Sequence, residues 1–101
     1  MAKDLIYCGN ENYEICKKEI LETYSNAQIA DSSDDIHGGR FYVEVPDVEE
    51  DIFYLWLLKN GYLDISFNLA LISMDQPERY KALVRQALAE LDAAKAIDYQ
   101  I

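Results

Sequence analysis

The sequence predicts an α+β fold, a two-layer sandwich of helices on one side of a sheet, and three stretches carry that expectation. Ile52, Phe53, Leu55, Trp56 and Leu58 build a broad helical face, and from Leu63 the apolar period changes to two. Phe41, Val43 and Val45 alternate with Tyr42 and Glu44 in a second strand-like run, and Tyr80–Leu91 repeats at amphipathic-helix spacing. Helices that bury one stripe beside strands that bury one face are what a single helical layer on a single sheet requires.

In chain order, Asp4–Cys8 (DLIYC) is short, apolar and bounded by Gly9-Asn10, which predicts a first strand. Apolar residues on both of its faces place it centrally in the sheet. Asn10 or Asn12 caps the following helix, whose buried face is Tyr13, Cys16, Ile20 and Tyr24, widened by Leu21. Ser25-Asn26 ends that helix, and Ala27–Ala30 reads as a short strand. The polar segment Asp31–Gly39 (DSSDDIHGG) then joins it to the Phe41–Val45 strand as a hairpin, with Gly38-Gly39 free to take turn dihedrals. Pro46 lacks a ladder donor and closes that strand.

Asp47, with Glu50 three residues on, has the spacing of a helix-start carboxylate and its returning Glu, and Gly61 supplies the positive φ that stops the helix. Leu63, Ile65, Phe67, Leu69 and Leu71 alternate with Asp64, Ser66, Asn68, Ala70 and Ile72, which predicts a fourth strand. Asp75, followed by Pro77 and Glu78, opens a last helix with Tyr80, Leu83, Val84, Ala87, Leu88 and Leu91 inward and Arg79, Lys81, Arg85, Gln86 and Glu90 outward. The tail, Ile97, Tyr99 and Ile101, alternates again and either adds a strand or frays. The first six elements match the ferredoxin-like βαββαβ pattern with an additional C-terminal helix, two βαβ units around a hairpin. The match is one of architecture, since no stretch carries a family signature.

At 101 residues and 50% apolar, the chain is expected to form one domain, 1–101, with a core that needs no staple. The apolar run after Met1-Ala2-Lys3-Asp4 is too short for a secretory leader, and nothing reaches the ~18–20 apolar residues of a membrane span. Cys8 and Cys16 match no zinc or redox spacing, so they read as reduced thiols in a cytoplasmic protein. The net charge of −10 argues against direct nucleic-acid binding, which needs Lys and Arg to replace counterions, and against an anionic membrane surface.

Residues with reactive groups fit structural roles better than chemical ones. Cys8 ends a strand just before a helix start, where the dipole lowers a thiol pKa, but Glu11 on the same turn opposes this and small buried thiols are common. Asp31, Asp34, Asp35 and His37 offer hard ligands in a loop, yet they miss the calcium-loop template, and one His without a Cys cluster makes no zinc site. Glu49-Glu50-Asp51 complements a helix dipole without needing acid–base work. Gly38-Gly39-Arg40 precedes a strand rather than a helix, so it is no phosphate cradle, and the acidic surroundings of Tyr42 oppose an RNA-stacking platform. The expectation is a non-enzymatic protein without metal or cofactor.

Charge, however, is gathered. Asp31, Asp34, Asp35, Glu44, Asp47, Glu49, Glu50 and Asp51 face one base, Arg40, so this segment carries 1 − 8 = −7 of the −10. The favoured function is therefore a small acidic protein-binding module that meets a basic protein surface through Asp31, Asp34, Asp35, Glu49, Glu50 and Asp51. An inhibitor that imitates nucleic-acid phosphates is a special case. Whether those acids form one patch or two depends on which ends of the fold the hairpin loop and helix start occupy. The alternative is a structural, homo-oligomerising domain, a homodimer for instance, that uses its sheet face around Tyr42 or its C-terminal tail. A small-ligand sensor with a pocket between sheet and helices is the third reading.

Overall fold

The computed structural model describes the backbone of residues 1–62 and 64–99 and the side chains of 1–62 and 64–92. Its elements are β1 (Ala2–Tyr7), α1 (Gly9–Thr23), β2 (Gln28–Asp31), β3 (Arg40–Val45), α2 (Glu50–Lys59), α3 (Phe67–Asp75) and α4 (Pro77–Tyr99). Among the described residues the fold is α+β, a three-stranded antiparallel sheet with four helices, and the strand order is β1-β3-β2. Alternation in β3 works as the sequence predicts: Phe41, Val43 and Val45 are buried while Tyr42 is exposed. Register sets Val43 opposite Asp4 and Phe41 opposite Ile6, so Ala2, Asp4 and Ile6 of β1 share that inner face. Helices α1 and α2 cover this face, α1 through Cys16 and Ile20 and α2 through Phe53, Tyr54, Leu55 and Leu57. Helix α4 packs across α2 and α3 with Leu83 and Ala87. Each large aliphatic or aromatic side chain buried here contributes about 1.5–3 kcal/mol.

The fourth strand predicted over Leu63–Leu71 is instead the helix α3, preceded by one bridge between Ser66 and Ile6. Leu63 itself lies outside the described residues. The error has a physical source. Phe67, Leu69, Ala70, Leu71, Ile72 and Met74 are apolar at so many positions that a period of two and a period of 3.6 both fit. Tertiary contacts decide between them. Ser66 is the N-cap, its hydroxyl accepting the Leu69 amide at 3.1 Å, and the buried carboxylate of Asp4 accepts the Asn68 amide at 3.1 Å. The same contacts correct the position of β1, which is an edge strand with its outer side occupied: the Tyr7 amide donates to the Ile65 carbonyl at 2.8 Å.

Three predicted caps move. Neither Asn10 nor Asn12 caps α1; the Gly39 carbonyl accepts the Cys8 and Gly9 amides at 3.1 and 2.9 Å and so serves the helix start from another element. Asp47 adopts φ 61° in the turn after Pro46, leaving Glu49 as the α2 N-cap without a side-chain bond. Asp75 is the last residue of α3, and the carbonyl of Gln76 accepts the Tyr80 amide at the start of α4, with Pro77 in the first turn as expected. Leu21, Ile52 and Leu88, expected to face inward, are about half exposed; the buried positions are Cys16 and Ile20 in α1, Phe53, Tyr54, Leu55 and Leu57 in α2, and Leu83 and Ala87 in α4. The tail residues Ile97 and Tyr99 belong to α4 rather than to a strand, and Ile101 lies outside the described residues.

Gly61 ends α2 as the sequence predicts, at φ 80°. The Tyr62 amide donates to the Leu57 carbonyl (2.9 Å) and the Gly61 amide to that of Leu58 (3.2 Å), the paired bonds of a Schellman motif. The accompanying apolar contact is Tyr62 on Trp56, with ring centroids 5.9 Å apart. Trp56 in turn stacks on Phe53 at 6.2 Å and meets Tyr24 edge-on at 6.0 Å, which ties the end of α2 to the end of α1.

Candidate functional site

The six acids expected to meet a partner fall at the two ends of β3. Asp31, Asp34 and Asp35 lie at or beyond its Arg40 end, and Glu49, Glu50 and Asp51 follow its Val45 end. Six residues of extended chain separate the groups by about 17 Å. The fold therefore brings together Asp31, Asp34 and Asp35, and separately Glu49, Glu50 and Asp51, but does not merge the two.

Most of these carboxylates also have work inside the fold. Asp34 accepts the Ile36 and His37 amides at 3.0 and 2.6 Å, meets His37 Nδ1 at 3.0 Å and lies 3.0 Å from the Arg40 guanidinium. The His37 bonds, side chain and then backbone, hold its carboxyl down at about 2. Asp31 accepts the Tyr13 and Ser33 hydroxyls, both at 2.7 Å; the Tyr13 bond lowers the Asp31 pKa, while that same bond pushes Tyr13 up to about 12. Arg79 of α4 reaches Asp51 at 2.6 Å and Glu50 at 3.6 Å and lies over the Tyr54 ring. Asp35 and Glu49 are exposed and make no ion pair among the described residues.

Between the two acidic groups lies the sheet's outer face, which no helix covers among the described residues. Register aligns Leu5, Tyr42 and Ala30 in one row and Lys3, Glu44 and Gln28 in the next. Tyr42 is 54% exposed and stands between two hollows. One, about 560 Å³, is bounded by Lys3, Leu5, Glu44, Phe67 and Asn68; the other, about 300 Å³, by Gln28, Ala30 and Glu44. Lys3 and Glu44 pair across the face at 3.4 Å. Sequence reasoning singled out Tyr42 but not Leu5 or Phe67. Only the β1–β3 register reveals that Leu5 sits beside Tyr42, and Phe67 reaches the hollow because α3 starts at the β1 edge.

Reactive groups elsewhere are subdued. Burial raises the Cys8 thiol, whose Sγ lies 3.5 Å from the Gly39 carbonyl, and burial pushes Cys16 up to about 12. Among the described residues no group of three or more His, Cys, Asp and Glu side chains is placed to hold a metal ion, and no helix is long and apolar enough to cross a membrane. What the arrangement offers is a carboxylate-rich rim around an uncovered, partly apolar face. Comparison with models of protein families, with curated proteins and with solved structures finds no match.

Proposed function

We propose that this protein is a small, acidic, non-enzymatic binding module for a protein with a basic surface, acting as an inhibitor or regulator of a nucleic-acid-handling protein. One observation carries the reading. Seven of the nine Lys and Arg side chains (Lys3, Lys17, Lys18, Arg40, Lys59, Arg79 and Lys81) already sit within ion-pair distance of an acid. The cations are thus largely spent inside the molecule, while the chain keeps a net charge of −10. Such a charge speeds encounter with a positive partner and repels other anions. The two acidic groups at the ends of β3 frame the contact. The architecture is read as a ferredoxin-like pattern whose fourth strand is reduced to the Ile6–Ser66 bridge, with the β1-β3-β2 order in support.

The test is capture from the protein's own cell extract at low and high salt. The reading expects a basic protein retained at low salt and released as screening rises. Retention of nothing basic, or retention indifferent to salt, overturns it.

A homo-oligomerising role, the second reading, is favoured by the exposure of Tyr42 on the central strand. Sedimentation of the full chain at several concentrations decides it, a monomer throughout removing this role.

A further inference from the structure

Helix α3 has two apolar stripes, and the fold uses one. Leu69 and Ile72 are buried against the core. At 3.6 residues per turn, Phe67, Ala70, Leu71 and Met74 fall together on the opposite side, over an arc of roughly 100°. That second stripe faces outward, with Phe67 43%, Leu71 36% and Met74 71% exposed. Asp75 is the one charged residue of the helix. An apolar stripe on a helix is ordinarily a buried one. The stripe also continues past the helix, since Phe67 shares the 560 Å³ hollow with Leu5 and Tyr42.

The chemistry of the border identifies what covers it. Asp64 adjoins Ala70 on one flank, and Glu50 and Asp75 adjoin Leu71 on the other. Asp64 and Asp75 make no ion pair among the described residues, and the only cation beside the second flank, Arg79, is engaged by Glu50 and Asp51. The C-terminal end of α3 adds its own negative dipole, with no basic residue in the last turn. A second copy seated here by two-fold symmetry would set these acids against the same acids of its mate.

We propose that the outer stripe of α3 is the docking ridge for an amphipathic helix of a partner protein, apolar on one face and bordered by Lys and Arg. Its apolar residues pack along Phe67, Leu71 and Met74, its cations meet Asp64, Asp75 and Glu50, and one large apolar side chain enters the hollow beside Tyr42. This deepens the acidic-module reading and rests on it: charge brings the partner, and the ridge sets which part of it binds.

The experiment titrates the full chain with a synthetic amphipathic Leu/Lys helix of about 18 residues. A scrambled peptide of the same composition and an oligolysine of the same length are titrated in parallel, with amide shifts followed by NMR. The expected result is tighter binding of the amphipathic peptide by about tenfold or more over both controls, with shifts centred on Phe67, Leu71 and Met74. The Leu71→Ser/Met74→Ser double variant removes that advantage while leaving oligolysine affinity unchanged. Shift mapping on the unaltered chain stands by itself if the variant unfolds. Equal binding of all three peptides, or shifts confined to the β3 ends, overturns the ridge and leaves the acidic module standing. Failure of every peptide to bind overturns both. A chain that sediments as a dimer, and as a monomer once Leu71 and Met74 are replaced, makes a second copy the occupant and overturns the proposal.

Discussion

The Ser66 hydroxyl donates to the carboxylate of Asp4, 62 positions earlier in the chain, and the same hydroxyl oxygen caps α3 by accepting the Leu69 amide. A buried carboxylate on β1 thus organises the start of a helix formed much later in the sequence. Asp4 also accepts the amides of Leu5 (2.7 Å) and Asn68 (3.1 Å), and the Asn68 side chain donates back to the Lys3 carbonyl at 2.6 Å. Burial nevertheless dominates, raising the Asp4 pKa above 3.8 against the pull of these bonds.

Replacing Asp4 by Ala strands the Ser66 hydroxyl and the Asn68 amide, and chemical denaturation is expected to record a loss of about 2–4 kcal/mol. Asp4→Asn keeps one acceptor oxygen and costs less. Because the folded pKa is raised, the folded state holds the Asp4 proton more tightly than the unfolded chain. Its contribution to stability is full below pH 3.8 and is lost as pH rises through the folded value. The gap between wild type and Asp4→Asn should therefore widen in favour of the wild type as pH falls toward 3.8. Urea midpoints for the pair, followed upward from about pH 3.5, check this.

Gly39 is fixed by space, not by φ. A Cβ there would lie 2.6 Å from the Gly9 carbonyl oxygen and 3.1 Å from Tyr13 Cδ2, and that backbone has to stay close because Gly39 caps α1. Gly61 has open space around it but sits at φ 80°. Gly39→Ala should cost about 1–3 kcal/mol or more through overpacking, and Gly61→Ala about 1–2 kcal/mol through left-handed strain. Thermal midpoints should fall in both, further in Gly39→Ala, which should also speed amide exchange in the first turn of α1.

These residues mark how far the fold was legible in the sequence. Period and punctuation place α1, β2, β3, α2 and α4, because Phe41/Val43/Val45, Gly61 and Pro77 act within a few residues of themselves. The features that sequence reading misses most completely depend on distant partners. Asp4 capping α3, Gly39 capping α1 and Ile65 closing the β1 edge are each made across more than 25 positions. The acidic residues were legible by count, but their division between the ends of β3 needs the register. The ridge on α3 was hidden for the same reason that the helix was, since an apolar run without a polar face has no single period.

Asp34 orders the β2–β3 loop as a shared acceptor for Ile36, His37 and Arg40. Its depressed pKa means that the ordering is present above about pH 3.8 and is lost as pH falls through about 2. NMR titration of the carboxyl should find that low midpoint. Asp34→Ala should release the Ile36 and His37 amides to fast exchange while the core of the sheet stays protected.

Tyr62 joins two roles that mutation can separate. Its hydroxyl donates to Glu19 of α1, and its ring covers Trp56 beyond the α2 stop. Burial first, then the Glu19 bond, raises the Tyr62 pKa, so this phenol should ionise well above the ordinary tyrosine range in an alkaline absorbance titration. Tyr62→Phe removes the bond alone and should cost about 1 kcal/mol. Tyr62→Ala also uncovers Trp56 and should cost about 3 kcal/mol or more. Because Trp56 is the only tryptophan, its fluorescence reports the difference directly: nearly unchanged emission in Tyr62→Phe, and a red shift in Tyr62→Ala as water reaches the indole. Equal red shifts in the two variants would mean that the Glu19 bond, not the ring, holds this corner together.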